Sequence, residues 1–277
     1  MISIGQTIPV EFGRVFQISY AVNPYAGVAM LSYLRALLFA VRFLTRIPLR
    51  PAGEPEPGTC RKALMLFPLC GWLIGFILIG CWLVLPLKAA PSALCLAALL
   101  ICIETLLNRQ LHLGGLIATA DAFLGPPAPA ERRLALMEEP RIGAMGAVAL
   151  ALVLLMKLML LSEVLSRGQI GAIAVYPALG RWMQVLMFSA SPYVRPDRPG
   201  SDFARAADVM AVLAASALMV PALLLVGFST GLILALAAVY VLRRCARAAI
   251  GGNTAETLGA ACVLAETAFL LGVLIGG

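Results

Sequence analysis

The sequence predicts an all-α fold, a polytopic membrane helix bundle of about seven transmembrane helices. Apolar residues make up 61% of the 277-residue chain and charged residues only 13%, whereas a soluble domain is nearer half apolar and a quarter charged. Apolar runs long enough to cross a bilayer recur along the chain. The basic residues also alternate in density from one loop to the next, as they do in multi-pass membrane proteins.

Charge and cysteine usage exclude two classes of function. A net charge of +7 would suggest a nucleic-acid partner in a soluble protein. In a membrane protein, basic loops set the topology and contact anionic lipid, so we expect the lipid bilayer as a partner and no nucleic acid. The seven cysteines are scattered and include no CxxC pair, which argues against a zinc or iron–sulfur site.

The first part of the chain divides into an extension and the start of the membrane domain. Residues 1–30 are weakly patterned and are interpreted as an N-terminal extension, either disordered or upstream of a true start at Met30. Residues 31–277 form the membrane domain. Within it, 31–47 predicts an apolar helix with three arginines that lies in the interface or dips into the membrane. The Pro/Gly-rich stretch 51–58 forms a linker.

The remaining apolar runs set the spans and their orientation. Seven spans are predicted, at 63–87, 92–108, 143–162, 169–190, 207–226, 229–245 and 258–275. Seventeen of the 21 basic residues lie in the N-terminal part to residue 62 or in the loops 109–142, 191–206 and 243–257. The other loops hold only two. The positive-inside rule therefore places the N-terminus and the polar loops in the cytoplasm.

The stretch NRQLHLGGLIATADA contains the chain's only histidine, His112, and an aspartate, Asp121. On one unbroken helix, two residues nine apart point in opposite directions. The Gly114–Gly115 step makes a break plausible, which would bring both side chains toward one pocket. In the alternative interpretation, His112 is an interfacial residue and Asp121 a helix cap or loop carboxylate.

A second candidate is Glu138-Glu139-Pro140-Arg141, which precedes Gly143 and the next apolar run. An arginine before a helix start suits an anion, since both the guanidinium and the helix N-terminus favour phosphate. The alternative is helix capping beside the proline.

Two cations, Lys157 and Arg181, fall inside predicted spans. Charged side chains in a membrane usually face the bundle interior or a polar cavity, so both are candidate functional residues. The alternative for Lys157 is that it extends its amine to the interface.

The last candidate is the Gly-rich segment 251–256, which opens the final span. Glycines let the backbone approach a ligand, while Asn253 and Thr254 supply hydrogen bonds. Glu256 could reach a cation. In the alternative interpretation, Asn253 or Thr254 is an ordinary N-cap.

At these places the chain resembles the cobalamin synthase family, the adenosylcobinamide-GDP ribazoletransferases. The order and spacing of the matching segments agree from about residue 31 to the end. Glu266, Lys157 and Gly180-Arg181 also fit the family pattern. The matching segments are RFLTRIPL at 42–49, FPLCGWLIG at 67–75, LHLGGLIATADA at 111–122, LMEEPRIGAMGAVAL at 136–150 and GGNTAETLGA at 251–260.

The resemblance implies a multi-pass enzyme of the cell inner membrane whose active face is cytoplasmic. Its substrates would be adenosylcobinamide-GDP and α-ribazole or α-ribazole 5′-phosphate, and its products adenosylcobalamin or its phosphate and GMP, with Mg²⁺ as cofactor. The implied roles are catalysis by His112 and Asp121, Mg²⁺ binding by Asp121, Glu139 and Glu256, and substrate binding by Arg141, Lys157, Arg181, Asn253 and Thr254. The sequence leaves a homo-oligomer open.

The chain departs from the family pattern where acidic residues are expected. The usual acids at 114, 118 and 121 share one helical face, and here they are Gly114, Ala118 and Asp121. One carboxylate of the three remains. The alternative function is therefore a catalytically degenerate paralogue that binds corrinoid or nucleotide without turnover.

Overall fold

The computed structural model describes residues 26–49, 56, 58–84, 92–108, 111–198, 200–227 and 230–276. In these residues the chain forms twelve helices and no strand, apart from an isolated bridge between Tyr193 and Asn253. The helices are α1 Ala26–Leu44, α2 Thr59–Val84, α3 Ala93–Leu107, α4 Leu111–Leu124, α5 Ala130–Glu138, α6 Ala144–Ser166, α7 Ile170–Ala190, α8 Ser201–Ala206, α9 Val209–Ala217, α10 Val220–Val226, α11 Thr230–Ile250 and α12 Ala255–Gly276. The all-α prediction is confirmed.

The number of helices able to cross a membrane depends on how α3 and α4 are counted. Among the described residues, five segments are long and apolar enough: α2, α6, α7, the pair α9–α10 and α12. A sixth arises if α3 and α4, which meet at 90°, form one broken span. Seven spans were predicted. The difference arises because α3 has only 15 residues and α11 carries arginines in its last two turns.

The N-terminal helix α1 packs against α2 through one face. Ala36, Ala40 and Leu44, spaced four apart, are buried, as expected for the apolar stripe of an amphipathic helix. The proposed extension at 1–30 falls mostly outside the described residues, which begin at Ala26, where α1 already starts. The boundary at residue 30 stays a prediction.

Close backbone contact between α2 and α7 forms the centre of the bundle. A Cβ atom added at Gly71 or Gly75 would lie within 3 Å of backbone atoms of Ala178 or Ala174. Small residues four apart let membrane helices approach closely, so that dispersion and main-chain contacts stabilise the pair. This crossing fixes α7, which carries Arg181, relative to the rest of the bundle.

The prediction that residues 109–142 form a loop is wrong, because this segment contains two helices. α4 runs unbroken from Leu111 to Leu124, and α5 follows it. Helix formation here depends on tertiary contacts, because Gly115 packs against the backbone of α12 at Glu256 and Gly259. A glycine pair that weakens an isolated helix therefore permits close packing in this bundle.

Candidate functional site

Four charged side chains meet in the middle of the bundle and form a buried quartet: Glu104, Lys157, Arg181 and Glu266. Lys157 Nζ lies 2.8 Å from Glu104 and 2.7 Å from Glu266. Arg181 Nη1 donates to Glu266 Oε1 at 2.6 Å. No side chain in the quartet is more than 6% exposed. Two cations face two anions, so the group is neutral, as buried charges must be.

Neutral polar groups complete the shell around the quartet. Tyr176 donates its hydroxyl to Glu104 at 2.9 Å, and Arg181 Nη2 donates to Asn108 Oδ1 at 2.7 Å. Asn108 is the C-cap of α3, and α4, whose axis lies at 90° to that of α3, begins three residues later. Arg181 therefore ties the C-terminal end of α3 to α7 and α12. The quartet joins α3, α6, α7 and α12 through charge-assisted hydrogen bonds, which are the strong ones.

His112 lies beside this network at the start of α4. It is buried, and its Nδ1 is 3.4 Å from the side-chain nitrogen of Gln184. Its Nε2 has no hydrogen-bond partner among the described residues. His112 and Lys157 also line a small cavity of about 20 Å³, roughly the size of one water molecule. The burial excludes a purely interfacial histidine.

Asp121 lies on the opposite side of α4 from His112. Its two carboxylate oxygens accept hydrogen bonds from the backbone amides of Gly143, at 2.8 Å, and Gly146, at 2.7 Å. Both amides belong to the N-terminal end of α6, where unpaired N–H groups and the helix dipole favour a carboxylate. The expectation that a break at Gly114–Gly115 brings His112 and Asp121 to one pocket is wrong, because α4 is continuous.

A second polar cluster surrounds Glu256 at the start of α12, and its centre is Arg195. Arg195 Nη1 is 3.1 Å from Glu256 and 3.6 Å from Glu138, while Nη2 donates to the carbonyl of Leu134 at 2.5 Å. Glu256 Oε2 is buried without a partner among the described residues. Together with burial, the Glu256 carboxylate raises the pKa of Tyr193, beside this cluster, to about 12. Arg195 thus connects α5 with the N-terminus of α12.

The turn before α12 is fixed by its own hydrogen bonds. Gly251 has φ +83°, a conformation that favours glycine. Thr254 caps α12, since the amide of Thr257 donates to its hydroxyl and its own amide donates to the Thr257 hydroxyl. Asn253 donates from Nδ2 to the carbonyl of Met187 at 2.6 Å, and its Oδ1 has no partner in the described chain. The capping interpretation of Thr254 is confirmed.

The remaining predicted site residues lie at the end of α5. Glu139 is 3.2 Å from Arg132, and both are partly exposed. Arg141 is exposed and has no ion pair among the described residues. It sits two residues before Gly143, the N-cap of α6. A free guanidinium next to a helix N-terminus is suited to an anion.

The carboxylates predicted to hold Mg²⁺ are each engaged elsewhere. Asp121 bonds two amides, Glu139 faces Arg132 and Glu256 faces Arg195. Within the described ranges no three His, Cys, Asp or Glu side chains are grouped so that they could hold a metal ion. A magnesium site built from these three carboxylates alone therefore does not fit the arrangement of the side chains.

Sequence reasoning missed several residues of both clusters. Tyr176, Asn108, Gln184 and Arg195 are ordinary by type and position, and only the fold brings them to the site. The two buried glutamates carried a usable signal, because a carboxylate inside an apolar run usually has a cationic partner. Because Lys157 and Arg181 lie in other spans, this rule predicts that the glutamates form ion pairs with them. It does not predict which glutamate pairs with which cation.

Comparisons with known proteins give a consistent result. A family model described as cobalamin-5-phosphate synthase matches residues 36–274. A protein named adenosylcobinamide-GDP ribazoletransferase from Stutzerimonas stutzeri is 37% identical over 241 residues, which cover 86% of this chain and 97% of that protein. Proteins of the same name from Pseudomonas fluorescens and Pseudomonas aeruginosa are 36% and 37% identical over 85% and 87% of this chain, and 97% and 98% of theirs. No solved structure matches the chain.

Proposed function

The chain belongs to the cobalamin-5-phosphate synthase family, and we propose that it completes the nucleotide loop of adenosylcobalamin. In this reaction the adenosylcobinamide-phosphate group of adenosylcobinamide-GDP passes to α-ribazole or α-ribazole 5′-phosphate, and GMP is released. The single observation that carries the proposal is similarity along almost the whole membrane domain. The relatives are matched over nearly their full length, so the resemblance is not limited to one motif.

The reaction requires charge to be neutralised around a phosphoanhydride. A ribazole hydroxyl forms a new P–O bond to the phosphorus that carries cobinamide. The P–O bond to GMP breaks, GMP leaves with the electron pair, and the hydroxyl proton passes to a base or to solvent. Such a transfer depends mainly on positioning and electrostatic stabilisation. The guanidinium of Arg141, which has no ion pair within the part of the chain that the structure describes, lies beside the N-terminus of α6 and supports this proposal.

The two polar clusters suggest different roles for the predicted site residues. Arg141, Asn253 and Glu256 each have a group or atom without a partner among the described residues, so they are the candidates for direct contact with the substrates. Lys157 and Arg181 already have carboxylate partners inside the bundle. Phosphate binding by these two cations, catalysis by His112 and nucleotide contact by Thr254 stay predictions.

The requirement for Mg²⁺ also stays a prediction. Mg²⁺ needs only one or two carboxylates when substrate phosphates and water supply its other ligands. Omission of Mg²⁺ should then abolish GMP release by the wild-type protein. Full activity without a divalent cation would contradict the prediction.

The helices support a multi-pass membrane protein, and we infer its orientation from charge. The Arg195 cluster and Arg141 lie in segments that the positive-inside rule places in the cytoplasm. The cytoplasmic active face follows from that rule, whereas the inner-membrane location rests on the resemblance to the family. The test is protease access in closed vesicles of known orientation, in which the 191–206 segment should be cleaved only from the cytoplasmic side.

Complementation tests the proposed function in a cell. A bacterium that lacks its own adenosylcobinamide-GDP ribazoletransferase should regain growth that depends on cobalamin made from cobinamide when it expresses this chain. Arg141→Gln should lower the rescue, whereas Arg167→Gln, at the far end of α6, should not. Failure of the wild-type chain to rescue growth, with the protein present in the membrane, would favour the degenerate paralogue.

A further inference from the structure

A large apolar cavity lies between four helices and is separate from both polar clusters. It has a volume of about 790 Å³ and is walled by α4, α6, α11 and α12. Four of its lining residues, Leu124, Val148, Leu152 and Val241, are more than half exposed. The cavity is therefore a groove that opens sideways on the surface that would face lipid. We call it the lateral groove.

The lateral groove has one polar end. Arg133 lines it where α4 ends and α6 begins. Its guanidinium donates to the carbonyls of Ala122 at 2.5 Å and Ala128 at 2.8 Å. These bonds use two of five N–H donors. The remaining donors and the positive charge are available at the end of the groove where the cytoplasmic loops are predicted.

A second polar atom lies deeper in the groove. Thr119 is 4% exposed, lines the groove, and its hydroxyl has no hydrogen-bond partner among the described residues. On α4, Thr119 precedes Ala122, whose carbonyl accepts a hydrogen bond from Arg133, by about one helical turn, roughly 5 Å. A buried hydroxyl without a partner is unfavourable, so a ligand with an acceptor at this depth would satisfy it.

The length of the groove matches one leaflet of a bilayer. Its walls run from Met145 to Val153 on α6 and from Ala238 to Ala249 on α11, which corresponds to about 12–16 Å at 1.5 Å per residue. The hydrocarbon core of a bilayer is about 30 Å thick. The groove therefore extends to about the middle of the membrane from its polar end.

We propose that the lateral groove binds one anionic phospholipid of the cytoplasmic leaflet. In this arrangement the lipid phosphate contacts Arg133, and an ester carbonyl accepts a hydrogen bond from the Thr119 hydroxyl. An acyl chain fills the apolar part of the groove. The order phosphate, ester, acyl chain of the lipid matches the order guanidinium, hydroxyl, apolar wall of the groove. The cytoplasmic leaflet supplies anionic lipid. The proposal is independent of the transferase function, because the groove contains none of the residues assigned to it.

The test uses a cysteine that the chain already has. Cys245 lines the groove and is exposed, while Cys102 is exposed on α3, outside the groove. Protein in detergent is treated with N-ethylmaleimide, and labelling of each cysteine is followed by peptide mass spectrometry. Phosphatidylglycerol should slow the labelling of Cys245 several-fold without affecting Cys102, and phosphatidylcholine should require a higher concentration. Equal protection by both lipids, or none, would overturn the proposal.

Three variants make the test specific, with lipid binding measured by native mass spectrometry. Ala149→Phe fills the groove and should remove the bound phosphatidylglycerol, whereas Ala147→Phe, on α6 outside the groove, should retain it. Arg133→Gln should lower the affinity for phosphatidylglycerol about tenfold, the loss expected for one charge-assisted hydrogen bond. Unchanged lipid binding by Ala149→Phe would overturn the proposal. So would conversion of a dimer into a monomer by this variant, because a second copy would then occupy the groove.

Discussion

Removal of one carboxylate from the buried quartet should destabilise the whole bundle. Glu266 is bonded to both cations, at 2.7 Å from Lys157 and 2.6 Å from Arg181. Glu266→Gln keeps the size of the side chain but leaves two cations facing one carboxylate, Glu104. Arg181 then has only neutral acceptors: the new glutamine amide, Asn108 and the carbonyl of Pro177. Loss of one partner from a buried ion pair costs about 3–5 kcal/mol.

The assay compares this variant with an exposed ion pair on the same bundle. Glu163 and Arg167 lie four residues apart on the surface, 2.8 Å from each other and nearly half exposed. Such a pair contributes about 0–1 kcal/mol, so Glu163→Gln should change the free energy of unfolding in detergent by no more than that. Lys157→Met should restore neutrality in the Glu266→Gln background. The double variant should therefore be less destabilised than the sum of the two single variants. Strict additivity, or equal effects of Glu266→Gln and Glu163→Gln, would refute the reasoning.

Three further predictions concern particular positions. Gly71→Ala should lower the free energy of unfolding by about 1–3 kcal/mol because its Cβ meets the backbone of α7. Gly80→Ala should be tolerated because its Cβ meets no described atom within 4 Å. Chemical unfolding of the two variants measures both free energies. Gly114→Asp should fold normally because that position faces open space, and it should strengthen Mg²⁺-dependent turnover. Gly115→Asp should misfold because its side chain would meet α12. An unchanged or weaker Mg²⁺ response of Gly114→Asp would count against the assignment. The Ala211 amide and Arg61 lower the pKa of Asp208. Its stabilising effect is present above the unfolded pKa and is lost as the pH falls through the lower, folded pKa. The Tm difference between wild type and Asp208→Asn should therefore shrink and disappear as the pH is lowered through and below the usual titration range of aspartate.

The positions of the spans followed from composition because the bilayer imposes a length on every apolar helix. The predicted spans 143–162 and 169–190 agree with α6 and α7 to within a few residues. The expectation that Lys157 and Arg181 face the interior of the bundle agrees with their buried ion pairs, while their role in substrate binding stays a prediction. Burial of an unpaired charge in a membrane is too costly to persist, so this outcome depends only on residue type and position.

The parts that sequence could not give depend on contacts between distant segments. α4 stays helical through Gly114 and Gly115 because α12 packs on it, and no local pattern reveals that neighbour. Arg195 reaches Glu256, 61 residues away, and Leu134, also 61 residues away in the other direction. Hydrogen bonds at such separations are set by how the helices cross, which a local reading of residues does not determine.

The most direct test of the transferase function is the stoichiometry of one reaction. Purified protein in detergent is supplied with adenosylcobinamide-GDP, α-ribazole 5′-phosphate and Mg²⁺, and GMP and the corrinoid product are quantified together by chromatography and mass spectrometry. The proposed function predicts one GMP for each corrinoid that has gained the ribazole phosphate, and no GMP when the ribazole is omitted. Corrinoid binding without GMP, or GMP release without a ribazole-containing product, would contradict it.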